Sequence, residues 1–544
     1  MPIKATLSRF FILSFVILVI STQRLSYSQE FPERIITREK WRQGMAFRLI
    51  WLEGPDEDKP SSVNELAFPI GCKYDAQRIY FTKSVYPDCK VSKDQFGNTS
   101  ISIDKPIKVQ YDVPLLLGFV AGIEMYKDAY VIGNKSNFAR NIACPASIRK
   151  SFLADDKEYD LNNPFMKKVS LNVTSIEKQP IGRVKDVWEY INSTMKYGVC
   201  KRPNTAINLL KSKLGQCGEF ARVTTALLRA SQVPSREIHS LRISSSGPHP
   251  FDHAWTEAYL PNTGWIPVHS QEKFPQNNKF RLNHREYLVV YRGTNYKTQH
   301  RFIKTDNVAM PCSYGAGYFA DVPKNAQIRT AKLLQQISGS PDMGSVECLK
   351  KIQRLPLASR PVLYWALSAC KDKEVGEEAA AKLVEMCENS NGKLLLERFL
   401  EFSPSVVWAR LMGKSSLISN DIKIFNGHRY KFFEHKMSWH GAKKCCEALG
   451  GHLVTISDQN EQDFVAQLPA KLDKANRVWI GLSDRRSEGK WEWVTGEKVS
   501  FQNWAPGLPD NLRGNQDCVE MGYAGSKWND QNVLCKFTFI CEWE

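Results

Sequence analysis

Residues 215–269 read GQCGEFARVTTALLRASQVPSREIHSLRISSSGPHPFDHAWTEAYLPNTGWIPVH, and this stretch decides the central fold. After a Gly-Gln-Cys-Gly turn, apolar residues recur at helical spacing, which predicts a helix beginning at or just after Cys217. A helix N-terminus favours an anion, so a thiolate there is stabilised. Alternating residues from His253 predict a strand, and Gly264 opens a second. A thiol on a helix tip and an imidazole on a strand indicate a cysteine nucleophile with its base.

The stretch resembles the transglutaminase-like core, a papain-related fold found in protein cross-linkers, peptide amidases and cysteine proteases. The resemblance implies that Cys217 is the nucleophile and His253 the general base. At the third catalytic position the family usually has Asp, and this chain has His269. A neutral His269 can still accept a hydrogen bond from His253, but it supplies no negative charge. The residues that match the family's framework are Glu257, Tyr259, Gly264 and Trp265.

The C-terminal stretch contains a second set of motifs. It holds Trp479-Ile-Gly-Leu, then Trp491-Glu-Trp, and Trp528-Asn-Asp ahead of Cys535. This set resembles the C-type lectin-like domain. The resemblance implies a long disulfide bond between Cys446 and Cys541 and a short one between Cys518 and Cys535, with Cys445 as an alternative partner in the long bond.

The sugar-binding loop departs from the pattern of that family. The family's calcium site uses Gln-Pro-Asp or Glu-Pro-Asn, a following Glu, and the Asn-Asp of the Trp-Asn-Asp strand. Leu508 and Gln516 replace two of these ligands. Calcium takes six to eight oxygen ligands, carboxylates among them. The resemblance therefore implies a degenerate calcium site, and no cofactor is required elsewhere. The retained metal ligands are Asp510, Asn529 and Asp530.

The first residues predict export. Lys4 and Arg9 precede an apolar run over 10–20, which is too short for a spanning helix of roughly 20 residues. We expect a signal peptide over 1–28 and a secreted protein, extracellular or periplasmic, with no stable transmembrane segment after cleavage. An uncleaved signal anchor is the alternative. The 14 cysteines of an exported chain predict disulfide bonds.

The net charge of +17 is diffuse, with no long Lys/Arg block behind it. Such a charge favours solubility and weak attraction to anionic surfaces. Since the chain also lacks a recognisable nucleic-acid-binding motif, we do not expect nucleic acid as its partner.

The predicted fold class is a multidomain α+β protein. Strand-like runs, helical periodicities and the two resemblances divide the chain after the signal peptide. The four expected domains are a β-rich sandwich-like domain over 31–148, a transglutaminase-like domain over 163–321, an α-helical spacer over 323–420 and a C-type lectin-like domain over 422–544.

Two functions follow from the residues and the resemblances. The leading hypothesis is an exported cysteine enzyme that acts on a protein or peptide substrate. It would hydrolyse an amide or peptide bond or transfer the acyl group through a Cys thioester. Its lectin-like domain would hold it at a surface through a cell-surface glycan or protein ligand. The alternative is a non-enzymatic carbohydrate- or protein-binding protein with a degenerate transglutaminase-like scaffold, and His269 favours that alternative.

Overall fold

The structure is a computed structural model, and it describes most of the chain beyond residue 33. The described residues are 34–54, 60–72, 77–94, 96–110, 113–132, 144–199, 205–246, 248, 252–261, 263–275, 279–282, 287–293, 302–306, 316–339, 346–389, 393–419, 421–473 and 475–544. The predicted signal peptide over 1–28 lies outside them.

The N-terminal region is built from strands in two sheets. The strands are β1 (Arg34–Leu52), β2 (Ser61–Cys72), β3 (Gln77–Ser84), β4 (Lys90–Lys93), β5 (Asn98–Ser102), β6 (Ile107–Val109) and β7 (Leu115–Ile132). β1 and β7 pair antiparallel along their whole length, while β2 pairs with β5 and β6 in the second sheet. Buried side chains such as Ile50, Val63 and Phe119 form one apolar core. The sequence predicts a sandwich-like β region here, and the structure has strands in two sheets that share this core.

The central region contains the helices and strands of the transglutaminase-like core. In chain order they are α1 (Ala146–Phe152), α2 (Pro164–Val173), α3 (Pro180–Thr194), β8 (Lys196–Tyr197), α4 (Ala206–Ser212), β9 (Leu214–Gly215), α5 (Cys217–Ala230), β10 (Ser235–Arg242), β11 (Asp252–Leu260), β12 (Gly264–Val268), β13 (Lys279–Leu282), β14 (Tyr287–Gly293), β15 (Phe302–Asp306) and β16 (Ala316–Ala320). The central sheet has the order β12-β11-β10-β14. Helix α5 packs against it through an apolar face that includes Val223 and Leu227.

Three strands of this region return to the N-terminal sheets. β13 pairs with β7, β15 with β2 and β16 with β1. Leu241 of β10 and Leu288 of β14 also lie in the apolar core of the N-terminal strands. The predicted boundaries at 31–148 and 163–321 therefore do not separate two independent sheets.

A helical array follows, as the apolar periodicity predicts. Its helices are α6 (Lys324–Gly339), α7 (Val346–Gln353), α8 (Arg360–Leu367), α9 (Lys373–Glu388), α10 (Lys393–Glu401) and α11 (Ser405–Lys414). The thiols of Cys348, Cys370 and Cys387 are buried on its apolar faces. Burial raises the pKa of the Cys387 thiol to about 12.

The C-terminal region has the expected lectin-like order of elements. They are β17 (Lys423–Phe425), β18 (His428–Met437), α12 (Trp439–Ala448), β19 (His452–Leu453), α13 (Gln459–Val465), β20 (Val478–Ser483), β21 (Glu492–Trp493), β22 (Cys518–Met521), β23 (Trp528–Gln531) and β24 (Phe537–Trp543). The Ser438 hydroxyl accepts from Gly441 N at 3.2 Å and so caps α12. β18 and β20 flank β24 in one sheet.

Ser405 of the helical array contacts both the N-terminal strands and the lectin-like domain. The Glu53 carboxylate, just after β1, accepts from the backbone N (2.9 Å) and the hydroxyl (2.8 Å) of Ser405 at the start of α11. The Cys445 thiol of α12 donates to the Ser405 carbonyl at 3.1 Å. Nearby, Trp408 packs edge-to-face on Phe433 of β18. The lectin-like domain is thus docked on the helical array.

No helix within the described ranges has both the length and the apolar character needed to cross a membrane.

Candidate functional site

The predicted nucleophile lies where the sequence indicates. Cys217 is the first residue of α5 and is half-buried. The turn before it is fixed by the Glu219 carboxylate, which accepts from Gln216 N at 3.0 Å. A Cβ on Gly215 would come within 2.7 Å of the Glu219 Cβ, so this close approach requires glycine.

Contacts between α5 and β11 set the end of the sheet at which Cys217 lies. One turn beyond Cys217, the Ala221 carbonyl accepts from the Thr256 hydroxyl at 2.8 Å. Beyond the other end of the helix, the Pro234 carbonyl accepts from Tyr259 N at 2.8 Å. Helix and strand therefore run in the same direction. Cys217 lies at the end of the unit where β11 begins.

The two predicted histidines lie at that same end. His253 is the second residue of β11, opposite Ser240 of β10. His269 directly follows β12, whose Val268 is opposite Thr256. The next residue, Ser270, exchanges a hydrogen bond of 2.7 Å with Thr224 of α5. The register brings both imidazoles to the end of the sheet at which β11 begins, and the Ser270 contact places His269 beside the middle of α5.

The His253 and His269 rings lie parallel and too far apart to exchange a hydrogen bond. Their centroids lie 6.2 Å apart and their planes differ by 4°. Because each ring nitrogen lies close to its own centroid, this separation exceeds a hydrogen bond of about 3 Å. The expectation that His269 accepts from His253 is therefore not met. Tyr287, at 5.1 Å, and Trp255, at 5.8 Å, complete an aromatic enclosure around His253.

The residues predicted as framework form one cluster. The Glu257 carboxylate accepts from two nitrogens of Arg236, at 2.8 and 2.6 Å. The guanidinium lies 3.9 Å from the centroid of Trp265, which contacts Tyr259 edge-to-face. This buried pairing holds β10, β11 and β12 together behind the site.

A buried polar network beneath α5 had no signal in the sequence. Glu237 of β10 accepts from the Tyr159 hydroxyl at 2.8 Å and lies 3.1 Å from His239. Arg222 of α5 contacts both Glu237 and Glu158. Burial acts to raise the pKa of Glu237, but His239 and Arg222 together lower it. The network fixes α5 to β10 five residues after Cys217.

Hydrogen bonds among its own residues and to β23 hold the predicted sugar-binding loop of the lectin-like domain. Asp530, fully buried, accepts from Asp510 N (3.2 and 3.1 Å) and Asn511 N (2.6 Å). Gln516 accepts from Leu512 N at 2.6 Å and donates to the Asp530 carbonyl at 3.1 Å.

These contacts decide whether the retained residues fit a calcium ion. C-type lectin domains often bind calcium, and Asp510 contacts Asp530, which follows Asn529 in β23. However, backbone N–H groups take the Asp530 oxygens, and Asn529 donates its amide to Glu520 at 3.1 Å. Leu508 has no side-chain oxygen. The residues present therefore do not fit the usual oxygen cage. In the described parts of the chain, no cluster of three acidic, His or Cys side chains is placed to hold a metal.

The predicted cysteine pairs are partly brought together. The thiols of Cys446 and Cys541 are in hydrogen-bond contact in the core of the lectin-like domain. Cys518 begins β22 and is buried, whereas Cys535 is half-buried before β24. Cys445 faces Ser405 of the helical array. Both disulfide bonds stay predictions.

Two family profiles match the chain. The profile described as Transglutaminase-like superfamily matches residues 167–270, and the profile described as Lectin C-type domain matches residues 435–543. A solved structure of a candidate cysteine protease from Cytophaga hutchinsonii is 14% identical, with a TM-score of 0.38, over 52% of this chain and 100% of that chain.

Curated relatives match the C-terminal region. Hepatic lectin of Gallus gallus is 36% identical over 126 residues, which are 23% of this chain and 58% of that protein. Lectoxin-Lio1, a C-type lectin of Erythrolamprus poecilogyrus, is 39% identical over 121 residues, which are 22% of this chain and 74% of that protein. The chain thus spans little more than half of the hepatic lectin. Through its C-terminal domain the chain belongs to the C-type lectin family, and it carries a transglutaminase-like domain ahead of it.

Proposed function

We propose that the protein is an exported cysteine enzyme that acts on a carboxamide or peptide bond of a protein or peptide substrate. It hydrolyses that bond or transfers the acyl group to an amine through a Cys thioester. The observation that carries this proposal is the position of Cys217 at the first turn of α5, at the sheet end where His253 lies. A half-buried thiol on a helix tip is an environment that favours a thiolate.

The reaction would take two steps. The Cys217 sulfur attacks the carbonyl carbon after passing its proton to His253. Backbone N–H groups at the tip of α5 stabilise the oxyanion. The C–N bond then breaks, and His253 returns the proton to the leaving ammonia or amine. Water or a second amine attacks the thioester, loses a proton to His253 and releases the thiol.

The aromatic enclosure supplies part of the stabilisation that a carboxylate at position 269 would give a protonated His253. His253 carries a positive charge while it holds the proton. A cation within about 6 Å of an aromatic centroid is stabilised by the ring face. Tyr287 and Trp255 lie within that distance. These rings support a protonated His253 in a chain that has His269 in place of Asp.

The lectin domain would serve as the targeting part of the enzyme. A glycan or a protein on a cell surface is its expected ligand. Binding there raises the local concentration of the core near its substrate. The contacts of Ser405 with Glu53 and Cys445 join the N-terminal strands, the helical array and the lectin domain.

Amine incorporation tests this proposal. The full-length protein is incubated with a glutamine-containing peptide, with and without dansylcadaverine, and released ammonia and dansylated peptide are measured. We expect ammonia release by the wild type and none by Cys217→Ala. The matched control is Cys144→Ala, which removes a partly exposed thiol before α1. Equal ammonia release by wild type and Cys217→Ala would contradict the proposal.

His269 favours a second candidate function, a non-enzymatic binding protein. At the third catalytic position, His269 supplies no negative charge that would orient and stabilise His253. If neither ammonia nor dansylated peptide forms while the protein still binds a glycan array or a cell surface, this second function is supported.

A further inference from the structure

Four Asn-x-Ser/Thr sequences in the chain are potential acceptors of an N-linked glycan in an exported protein. The acceptor asparagines are Asn98, Asn134, Asn172 and Asn192. Asn134 lies outside the described residues. For the other three, the structure gives the exposure of the side chain and the hydrogen bonds of its amide. Because a glycan replaces one of the two hydrogens on the amide nitrogen, these contacts decide where a glycan fits the folded chain.

Asn98 leaves no place for a glycan. Its side chain is buried, and its Nδ2 donates to the Asp94 carboxylate and to the Arg292 carbonyl, both at 2.8 Å. Both amide hydrogens are therefore in use. Its Oδ1 accepts from Arg292 N at 2.9 Å. A sugar on Nδ2 would remove one of these hydrogen bonds and leave a buried acceptor without its donor, which is costly.

Asn192 is half-buried on α3 and is held by a contact near the candidate site. Its Nδ2 donates to the Ser270 carbonyl at 3.2 Å, and Ser270 directly follows His269. A glycan on this nitrogen would crowd the contact that holds the segment after β12 against α3. The folded chain therefore disfavours a glycan here.

Asn172 is the accessible acceptor. It lies in the last turn of α2, and its side chain is exposed. Among the residues that the structure describes, none shares a hydrogen bond with its amide. The preceding residue, Leu171, is also exposed. Both amide hydrogens of Asn172 are thus available, and a sugar attached there would break no hydrogen bond of the described chain.

The position of Asn172 also keeps a glycan away from Cys217. Two residues earlier, the Ser170 hydroxyl shares a hydrogen bond of 2.9 Å with that of Ser231. Ser231 directly follows α5, whose 14 residues span about 21 Å, and Cys217 is the first of them. A glycan on Asn172 would therefore be attached near the end of α5 that is opposite to the candidate nucleophile.

The third residue of this acceptor sequence, Thr174, also has a structural role. Its hydroxyl donates to the Asp186 carboxylate at 2.6 Å, and the side chain is buried. This contact by itself is a sufficient reason for a threonine at position 174. Variants that test glycosylation must therefore separate the acceptor sequence from this hydrogen bond.

We propose that Asn172 carries an N-linked glycan, transferred from a lipid-diphosphate-linked oligosaccharide while the chain is exported. This inference rests on the export that the proposed function includes, and it does not depend on catalysis. The Asn172 amide nitrogen bonds to C1 of the first sugar and loses a proton. The bond between C1 and the phosphate oxygen breaks, and the lipid diphosphate leaves. Asn98 and Asn192 stay unmodified in the folded protein.

The test uses full-length protein that insect cells secrete through its own N-terminal residues. Protein from the medium is treated with peptide-N-glycosidase in heavy-oxygen water, which converts each glycosylated Asn to an Asp that contains heavy oxygen. Peptide mapping then reads each acceptor separately. We expect heavy oxygen at Asn172 and at neither Asn98 nor Asn192. A sample without the enzyme corrects for spontaneous deamidation.

Variants separate the acceptor sequence from the fold. Asn172→Gln should lower the intact mass by one glycan, because the acceptor amide is replaced while Thr174 is kept. Thr174→Ser is the matched control and should keep the glycan, since serine completes the acceptor sequence and can donate to Asp186. Thr174→Val should lose the glycan and also lower the melting temperature, because the hydrogen bond to Asp186 is lost.

The outcomes separate this inference from the proposed function. Secreted wild type without heavy oxygen at Asn172 would overturn the inference and leave the enzyme proposal standing. Heavy oxygen at Asn98 or Asn192 in the folded, secreted protein would overturn the selection among acceptors that the contacts make. If the protein is neither secreted nor glycosylated, the export part of the proposed function fails and the inference fails with it.

Discussion

The imidazole rings of His253 and His269 lie parallel, with centroids 6.2 Å apart. This parallel arrangement distinguishes the site from one in which a carboxylate holds the base. His269 supplies no negative charge, and it is buried at 9% exposure. A negatively charged side chain at position 269 would stabilise the protonated form of His253.

We predict that His269→Asp increases amide hydrolysis. An Asp carboxylate stabilises the imidazolium that forms on His253, so the catalytic rate should rise by about tenfold or more. The measurement is kcat and KM for ammonia release as a function of pH. The rise should appear in kcat, with the basic limb of the profile moved to higher pH.

His269→Asn is the control for that substitution, because it has a similar shape without the charge. Asn should not reproduce the increase. A loss of activity in His269→Asp, with an unchanged melting temperature, would show that the His269 ring has its own role.

The Glu53–Ser405 contact should stabilise the whole assembly. Glu53→Gln and Ser405→Ala should each lower the free energy of unfolding by about 1–2 kcal/mol, since a hydrogen bond to a charged group is lost or weakened. Urea unfolding followed by tryptophan fluorescence measures this. The double variant should lose less than the two single losses together. Additive losses would mean that the two side chains do not interact in solution.

Glu124 predicts a dependence of stability on acid pH. Burial acts to raise the pKa of its carboxylate, but hydrogen bonds from Lys40, Tyr80 and Tyr126 lower it from 4.5 to about 2. A group with a depressed folded pKa stabilises the protein above its unfolded pKa and loses that effect as pH falls. The difference in unfolding free energy between wild type and Glu124→Gln should therefore be largest above pH 4.5. It should shrink as the pH falls towards about 2. A difference that is constant with pH would contradict this.

Local patterns predicted much of this architecture. Glycines around Cys217 and an apolar stripe after it predicted where α5 begins. These signals depend on neighbours in sequence. Residues 405–414 form a helix that the pattern did not single out, because their apolar residues are buried on several sides.

Long-range pairings had no such signal. β16 returns to β1 across about half of the chain, and only the structure shows that a Cβ on Gly317 would meet the Arg242 carbonyl at 2.0 Å. The network around Glu237 likewise depends on contacts between distant elements. At the site, the catalytic residues named from the sequence stay predictions. The parallel arrangement of the His253 and His269 rings follows from strand register, which joins residues far apart in sequence.

The hydrogen bonds of the lectin loop predict that calcium has little effect on the melting temperature. Because Asp530 is already bound by backbone N–H groups, millimolar calcium should not raise the melting temperature of the full-length protein. A bound ion would add about 1 kcal/mol once calcium exceeds its Kd several-fold. Leu508→Gln with Gln516→Glu restores an oxygen and a charge, so this variant should melt higher in calcium than in chelator. A calcium-dependent shift in the wild type would contradict the reading of the loop as degenerate.

The most direct test of the account is the site of labelling by a peptide vinyl sulfone at neutral pH. Intact mass and peptide mapping of the full-length protein show which cysteine carries the adduct. We predict one adduct, on Cys217, whose rate falls at least about a hundredfold in His253→Ala because the general base is lost. A disulfide bond at Cys217, or labelling that is equally fast in His253→Ala, would contradict the central claim that these two residues act together.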